Sequence, residues 1–258
     1  MNDNFNEKST VDQIRRRFDK DVDRFSNLDS GQEAAMDAPV MMALTTEAAL
    51  AASPHAVRML DIGCGAGNYT LKILQSKTDM HCELVDLSGP MLERAYQRVT
   101  AAGSGEVRIF QGDIREVALP QASYDIIIAA AVLHHLRGED DWQHVFKKLY
   151  ALCAPGGSLW IIDLIRHRSP SIQAVMEAHY GRYLDSVGGS EYRKKVMAVI
   201  DQEDSPQTLP FQLNLLRQVG FTQVELLHKN GCFASFGGIK KIDVTEAHRC
   251  SISKRSCS

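Results

Sequence analysis

The stretch Val57–Thr70 reads VRMLDIGCGAGNYT. Val57 to Ile62 is short and mostly apolar, with Pro54 before it and a glycine cluster after it. That pattern predicts a strand buried on both faces within a parallel sheet. Gly63, Gly65 and Gly67 then permit a tight turn and a close backbone approach to a ligand. Asn68 to Gln75 follows with helical spacing, its apolar positions at Tyr69, Leu71, Ile73 and Leu74. Strand, glycine turn and helix together make the ligand-binding entry of a doubly wound α/β fold.

Three details narrow the ligand. The dinucleotide fingerprint needs a third glycine three residues after the second, and that position is Asn68. Asp61 sits at the strand end, where a carboxylate would repel a pyrophosphate and suit a cation. Asp86 closes a second apolar strand, Cys82–Val85, 21 residues after Gly65. An acidic residue at that distance grips ribose hydroxyls. A ligand with a ribose and a cationic group but no phosphate fits S-adenosylmethionine (SAM).

The motifs LDIGCGAGN, Asp86, GDI at Gly112–Ile114, YDIIIAAAVLHHL at Tyr124–Leu136 and APGG at Ala154–Gly157 occur in that order. Together they resemble the ordered motifs of class I SAM-dependent methyltransferases. The resemblance implies SAM as cofactor, with Asp61, Gly63, Cys64, Gly65 and Gly67 around its methionine and ribose parts. It implies Asp86 on the ribose, Leu87 and Met91 against the adenine faces, and Asp113 and the Ile114 N–H at the adenine edge. Ala130 ends the fourth strand beside them. Methyl transfer itself needs alignment more than acid–base chemistry. A base matters only where the acceptor must lose a proton. His134 and His135, just after the fourth strand, are the candidates, with Tyr180 of a later helix as a third catalytic candidate. No N-P-P-Y segment follows the fourth strand, which argues against the amide and nucleobase amine methylases that use it.

Composition sets the outer limits. With 258 residues, the chain can bury one sizeable core. A hydrophobic content of 44% and a charged content of 24% suit a soluble globular protein. A net charge of −3 gives no global pull toward nucleic acid. No apolar run is long enough for a membrane span, and the polar N-terminus has no signal-peptide core. The six cysteines show neither a C-x-x-C pair nor zinc spacing, so no metal is expected and reduced thiols in the cytoplasm are. The expected partners are a small-molecule substrate and, for assembly, a second copy of the chain.

The rest of the chain alternates. Strands are predicted at Val57–Ile62, Cys82–Val85, Val107–Gln111, Tyr124–Ala130 and Ser158–Ile162. Helices are predicted at Asn68–Gln75, Pro90–Ala101, around His134–Leu136, and at Asp141–Leu152. Alternation demands a parallel sheet with right-handed crossovers. Asp61, Asp86, Asp113, Ala130 and Asp163 then share one rim. Before this core, Thr10–Phe25 reads as one helix with the Arg15–Arg17 triplet on a solvated face, and Ala38–Ala52 as a second. Arg24–Asn27 and Asp37 are placed to fold over the cofactor. After the fifth strand the rhythm breaks into two cap helices, Ser171–Ser186 and Tyr192–Ile200. A helix at Thr208–Val219 and strands Phe221–Leu227 and Phe233–Ile239 close the chain. The expected fold is therefore a doubly wound, mostly parallel seven-stranded sheet with an antiparallel last strand. Its parts are a helical lid (1–55), the core (56–165), a cap (166–210), a completing helix and strand pair (211–240) and a disordered tail (241–258). Residues 1–9 are also expected to be disordered.

Arg193–Lys195, the EDSP turn at 203–206, QVGF at Gln218–Phe221 and CFASFGGIK at 232–240 are similar to the carboxy-SAM synthases. That resemblance implies a carboxymethyl donor made from SAM and prephenate for wobble-uridine modification of tRNA. Two positions depart from its pattern. Lys194 and Lys195 stand where that family's cap arginine is expected, and Ala130 replaces an asparagine. The expected function is therefore transfer of the SAM methyl group to a small-molecule acceptor, with a carboxy-SAM synthase and a non-catalytic SAM-binding protein as the alternatives.

Overall fold

The structure, a computed structural model, describes residues 8–27 and 31–242. Its centre is a seven-stranded sheet in the order β3-β2-β1-β4-β5-β7-β6. The strands are β1 (Arg58–Ile62), β2 (His81–Asp86), β3 (Val107–Gln111), β4 (Tyr124–Ala130), β5 (Cys153–Leu164), β6 (Phe221–Asn230) and β7 (Phe233–Lys240). Strands β1 to β5 pair in parallel, and β7 runs antiparallel to both β5 and β6. The expected architecture therefore stands. Ile62 pairs with Val85 on one side and with Ala129 on the other. The carboxyl ends of β2, β1 and β4 thus lie level, and strand order reverses between β1 and β4. That is where ligands bind in such sheets.

Helices cover both faces. Alternate β1 residues divide between two cores: Leu60 and Ile62 join Trp142, Phe146 and Leu149, whereas Met59 joins Leu84, Ile128 and Trp160. All are buried, as the continuous apolar run of a central parallel strand requires. The helices of the first core are α6 (Gly138–Leu152) and α8 (Leu209–Val219). Those of the second are α3 (Ala38–Ala52), α4 (Asn68–Leu74) and α5 (Gly89–Ala101).

The N-terminal segment corrects one expectation. Thr10–Phe25 is two helices, α1 (Val11–Phe18) and α2 (Val22–Ser26). Thr10 caps α1, its hydroxyl accepting from the Gln13 N–H while Gln13 Oε1 accepts from the Thr10 N–H. At the far end the N–H groups of Lys20 and Asp21 donate to carbonyls only three residues back, which tightens the chain and ends the helix. The break folds Phe25 onto Phe18, ring centroids 5.6 Å apart. The apolar spacing is shared by both pieces, so periodicity alone could not show the break. Expected disorder lies outside the described residues except at Lys8, Ser9, Lys241 and Ile242. Lys8 and Ser9 instead dock: Lys8 Nζ donates to the Asp201 carbonyl and the Ser9 N–H to the Gln202 carbonyl.

The cap is α7 (Pro170–Glu203), split at Gly189, whose φ of 77° and ψ of −177° are not helical. Its halves match the two expected cap helices. The near half is pinned to the chain before α3. The Tyr180 hydroxyl donates to the Ala34 carbonyl at 2.8 Å and the Tyr183 hydroxyl to the Glu33 carbonyl at 2.8 Å. Tyr180 also packs edge-on against Phe233, 5.2 Å between centroids. Replacing Tyr180 with Phe keeps that packing and orphans one carbonyl. Denaturant unfolding of Tyr180→Phe is expected to show a loss of about 1–2 kcal/mol. An unchanged midpoint would mean that this anchor contributes nothing.

Candidate active site

The glycine turn after β1 is shaped by close neighbours. Gly63 has φ +62°, and a Cβ there would lie 2.6 Å from the Val132 side chain, in the turn after β4. Gly67 has φ +81°, with Ala95 and Val99 of α5 crowding it at 3.2–3.3 Å. Both positions need glycine for conformation and for space. The Cys64 N–H donates to the Val85 carbonyl at 3.0 Å, joining the turn to the end of β2. Asp86 completes the join. Its Oδ2 accepts from the Gly65 N–H at 2.8 Å and its Oδ1 from the Ser88 N–H at 2.9 Å.

Three carboxylates crowd this rim. Asp61 is buried and accepts from the Thr70 hydroxyl at 2.7 Å. Burial pushes its carboxyl up to about 7, against the Thr70 hydrogen bonds and with help from the Asp86 charge. Burial also raises Asp86, offset in part by the Ser88 and Gly65 N–H groups. Asp163, at the end of β5, is buried as well. Asp61 and Asp86 so placed resist ionising together, and a cationic ligand relieves them.

Above β4 and β5 lies a second cluster. Leu133–His135 is one 3₁₀ turn rather than a longer helix. The His134 N–H donates to Asp163 Oδ2 at 3.0 Å, and His134 Nδ1 is in short contact with Asp163 Oδ1. Asp163 Oδ1 also accepts from the Leu164 N–H at 2.7 Å. From the end of the cap, Asp204 Oδ1 approaches His134 Nε2 at 3.6 Å and His135 Nδ1 at 3.2 Å. Burial alone would lower His134, but the charges of Asp163 and Asp204 outweigh it and hold its pKa up at about 9. Burial would raise Asp204, but the facing imidazoles bring it below the usual carboxylate range.

The lid closes on the same place. Arg17 grips the buried Glu203 through two bonds, 2.8 and 2.5 Å, so the arginine triplet is not a purely solvated face. Phe18 meets the His135 ring edge-on at 6.1 Å. Arg137 donates to the Glu203 carbonyl and the Ser205 hydroxyl. Near the glycine turn, Asn68 Nδ2 donates to the Phe25 carbonyl at 2.9 Å and Arg94 to the Ser26 hydroxyl at 3.0 Å. Arg24–Asn27 therefore does lie over the turn.

Other sequence-derived candidates lie elsewhere or are engaged. Asp37 is held by His228 and Asn230 of β6, at 2.9 Å each, at the β6–β7 edge of the sheet. Both Asp113 oxygens accept from Arg115, which also reaches Asp141. Ile114 and Cys64 are buried, Met91 fully so, and Leu87 and Ala130 are half-buried. Tyr180 spends its hydroxyl on Ala34 and so acts as a cap anchor in this arrangement. Sequence reasoning did not single out Asp204, Glu203 or Arg17 as site residues. The EDSP turn was the available signal, because adjacent acids that end a helix beside a proline must find cations if they are buried.

Residues 59–157 match a family model described as a methyltransferase domain. A demethylmenaquinone methyltransferase of Listeria monocytogenes serotype 4a (strain HCC23) is 26% identical over 188 residues, 71% of this chain and 78% of that protein. The chain is a SAM-dependent methyltransferase. A carboxy-S-adenosyl-L-methionine synthase of Shewanella halifaxensis (strain HAW-EB4) is also 26% identical to this methyltransferase, over 187 residues, 71% of this chain and 76% of that protein. Among solved structures, an O-methyltransferase family protein from Burkholderia thailandensis shares the fold, with a TM-score of 0.60 at 18% identity. That match covers 90% of this chain and 62% of that chain, so the methyltransferase spans about three-fifths of that neighbour's length. Among the described residues no helix is long and apolar enough to cross a membrane.

The raised His134 pKa links stability to pH. Its folded value, about 9, exceeds the ordinary 6.5. Its contribution is therefore complete below about 6.5 and is lost as pH rises through 9. Wild-type stability should fall across that window by roughly 2–3 kcal/mol more than that of His134→Gln. Parallel pH-dependent denaturation curves for the two proteins would count against the charged pair.

Proposed function

We propose that this methyltransferase moves the SAM methyl group to a small-molecule acceptor enclosed between the rim, the lid and the cap. One observation carries the reading. Asp61, Asp86 and Asp163 stand on one rim, at the strand-order reversal, beside a glycine turn open to close backbone approach. Asp163 is already met by His134, so the uncompensated pair, Asp61 and Asp86, favours a ligand with a ribose and a cationic group. Asp86, with its oxygens oriented by the Gly65 and Ser88 N–H groups, would accept from the ribose hydroxyls. Asp61 would become ionised beside the ammonium group, directly or through water. The glycine backbone would follow the chain between them.

The sulfonium leaves as a neutral thioether, so the protein's task is to align the acceptor with the S–CH₃ bond and to exclude water. Alignment alone lowers such barriers by roughly 7–11 kcal/mol. In the closed arrangement His134 carries its proton between Asp163 and Asp204. It would serve as a base only once Asp204 moves off with the cap and removes one of the two charges that hold the proton. A small acceptor agrees with the activity for which the Listeria relative is named, and burial of Cys64, Cys82, Cys153 and Cys232 as free thiols agrees with a reducing, cytoplasmic setting.

The Shewanella relative keeps a carboxymethyl donor in view. Against it, Lys194 is spent on an exposed pair with Glu191, and Lys195 is exposed too. A lysine also lacks the bidentate grip of arginine on a carboxylate.

Calorimetry with SAM tests the reading. Asp86→Ala should weaken binding by roughly 1.5–3 kcal/mol, and wild-type affinity in that variant would remove Asp86 from the site. The double change Lys194→Ala, Lys195→Ala should alter the SAM dissociation constant less than threefold, about 0.6 kcal/mol. A clear wild-type preference for the carboxymethyl analogue, lost in the double variant, would favour the synthase. Methyl-labelled SAM offered with a panel of small phenols and quinones should yield a labelled product.

A further inference from the structure

We propose that His134, His135 and Asp204 form a binding site for one divalent first-row transition-metal ion of the zinc type. One donor atom from each of the three lies within 4.8 Å of the others. His135 Nδ1 and Asp204 Oδ1 are 3.2 Å apart, and His134 Nε2 and Asp204 Oδ1 are 3.6 Å apart. Ligand atoms about ~2.0–2.2 Å from a tetrahedral ion are about 3.4 Å from one another. The two separations from Asp204 Oδ1 therefore already match that spacing, and the imidazole nitrogens lie within 4.8 Å of each other, a gap that side-chain rotation closes. Two imidazoles and a carboxylate, with no thiolate, are a donor set that suits zinc and its neighbours, and three protein ligands leave a fourth position open.

Two further observations point to a ligand. The first lies behind His134. Its Nδ1 faces Asp163 Oδ1, which leaves Nε2 directed at Asp204. A carboxylate behind the far nitrogen is the usual support of a metal-bound histidine, fixing its tautomer and its ring. Asp163 is itself held, by the N–H groups of His134 and Leu164. The second is an unmet need. Among the described residues, Asp204 Oδ1 is buried without a hydrogen-bond partner, its two imidazole contacts being close approaches only. His135 Nε2 is likewise buried without one. Arg17, the nearby guanidinium of α1, is taken by Glu203. An ion here would join the turn after β4 to the end of the cap, next to the proposed acceptor space. Its binding does not depend on what the rim holds.

The test uses the full untagged chain, stripped of metal with a chelator and titrated with Co²⁺ and then Zn²⁺. The expected result is one Co²⁺ per chain, with visible absorption bands that disappear as Zn²⁺ displaces it. Asp204→Asn, nearly isosteric, and His135→Ala should each weaken binding at least tenfold. Asp163→Asn keeps all three donors and should still weaken binding by about 10–100-fold, as loss of a supporting carboxylate does. Circular dichroism confirms that each variant is folded, and if His135→Ala is not, Asp204→Asn decides. Absence of saturable binding by the wild type, or wild-type affinity in Asp204→Asn, would overturn the site. SAM calorimetry on the metal-free chain is run in parallel. Failure of SAM to bind both the metal-free and the metal-loaded chain would count against the methyl-transfer reading of the rim, while the metal titration alone judges this site.

Discussion

Two adjacent carboxylates, Glu203 and Asp204, are buried at the end of the cap helix. Charges taken out of water must be paired there, because an uncompensated one costs several kcal/mol. Much of the closed arrangement follows from how that need is met. Glu203 draws Arg17 from the lid, and with it Phe18, whose ring lies 4.1 Å below the guanidinium. Asp204 draws the two histidines that follow β4. Lys8 and Arg137 take the neighbouring carbonyls, and the Ser205 N–H donates back to the His134 carbonyl. Lid, cap and core meet at this point through polar contacts, whereas the sheet beneath is held by its two apolar cores.

The rim works by the opposite arrangement. There the carboxylates of Asp61 and Asp86 lie near one another with hydroxyl and N–H partners but, among the described residues, no cation bonded to either. Burial raises both, so the free site is partly neutralised by protons. A ligand that brings its own positive charge can replace those protons, which gives a physical basis for selecting SAM over a dinucleotide. Asn68, where the dinucleotide fingerprint has glycine, is used instead to tie the turn to the lid through Phe25 and to α5 through Arg98.

The sheet was legible because burial on two faces leaves a direct trace: short apolar runs, glycine turns and acidic strand ends. Gly63, Gly67 and Asp86 belong to that trace, and their geometry follows from it. The break between α1 and α2 left none, since two helices packed on one surface share one apolar period. Asp37 and Asp113 are acids with the right position along the chain but the wrong company. His228 and Asn230 claim the first, and Arg115 claims the second. Partners so distant in sequence, as 191 residues separate Asp37 from His228, cannot be read from local spacing. Arg17 and Glu203, 186 residues apart, were missed for the same reason.

The two halves of the cap are held differently, and this bears on how an acceptor could enter. The half before Gly189 is anchored by tyrosine hydroxyls on backbone carbonyls and by Tyr180 against Phe233. None of those contacts changes charge near neutral pH. The half after Gly189 ends in the carboxylates that meet the lid and the histidines. Gly189 has a positive φ and no neighbour within 4 Å of where a Cβ would stand, so the joint needs glycine for its dihedral angle and not for space. The halves still touch across it, with Gly188 against the Tyr192 side chain and Arg193 paired with Asp185 at 2.8 Å. The far half also packs Tyr192, Val196, Met197 and Ile200 on the second core, so it is its carboxylate end, Glu203 and Asp204, whose contacts respond to protons, ions or a charged ligand. Moving that end would separate Asp204 from His134 and remove one of the two charges that hold the imidazole's proton, so admitting the acceptor and readying His134 to act as a base would be one motion.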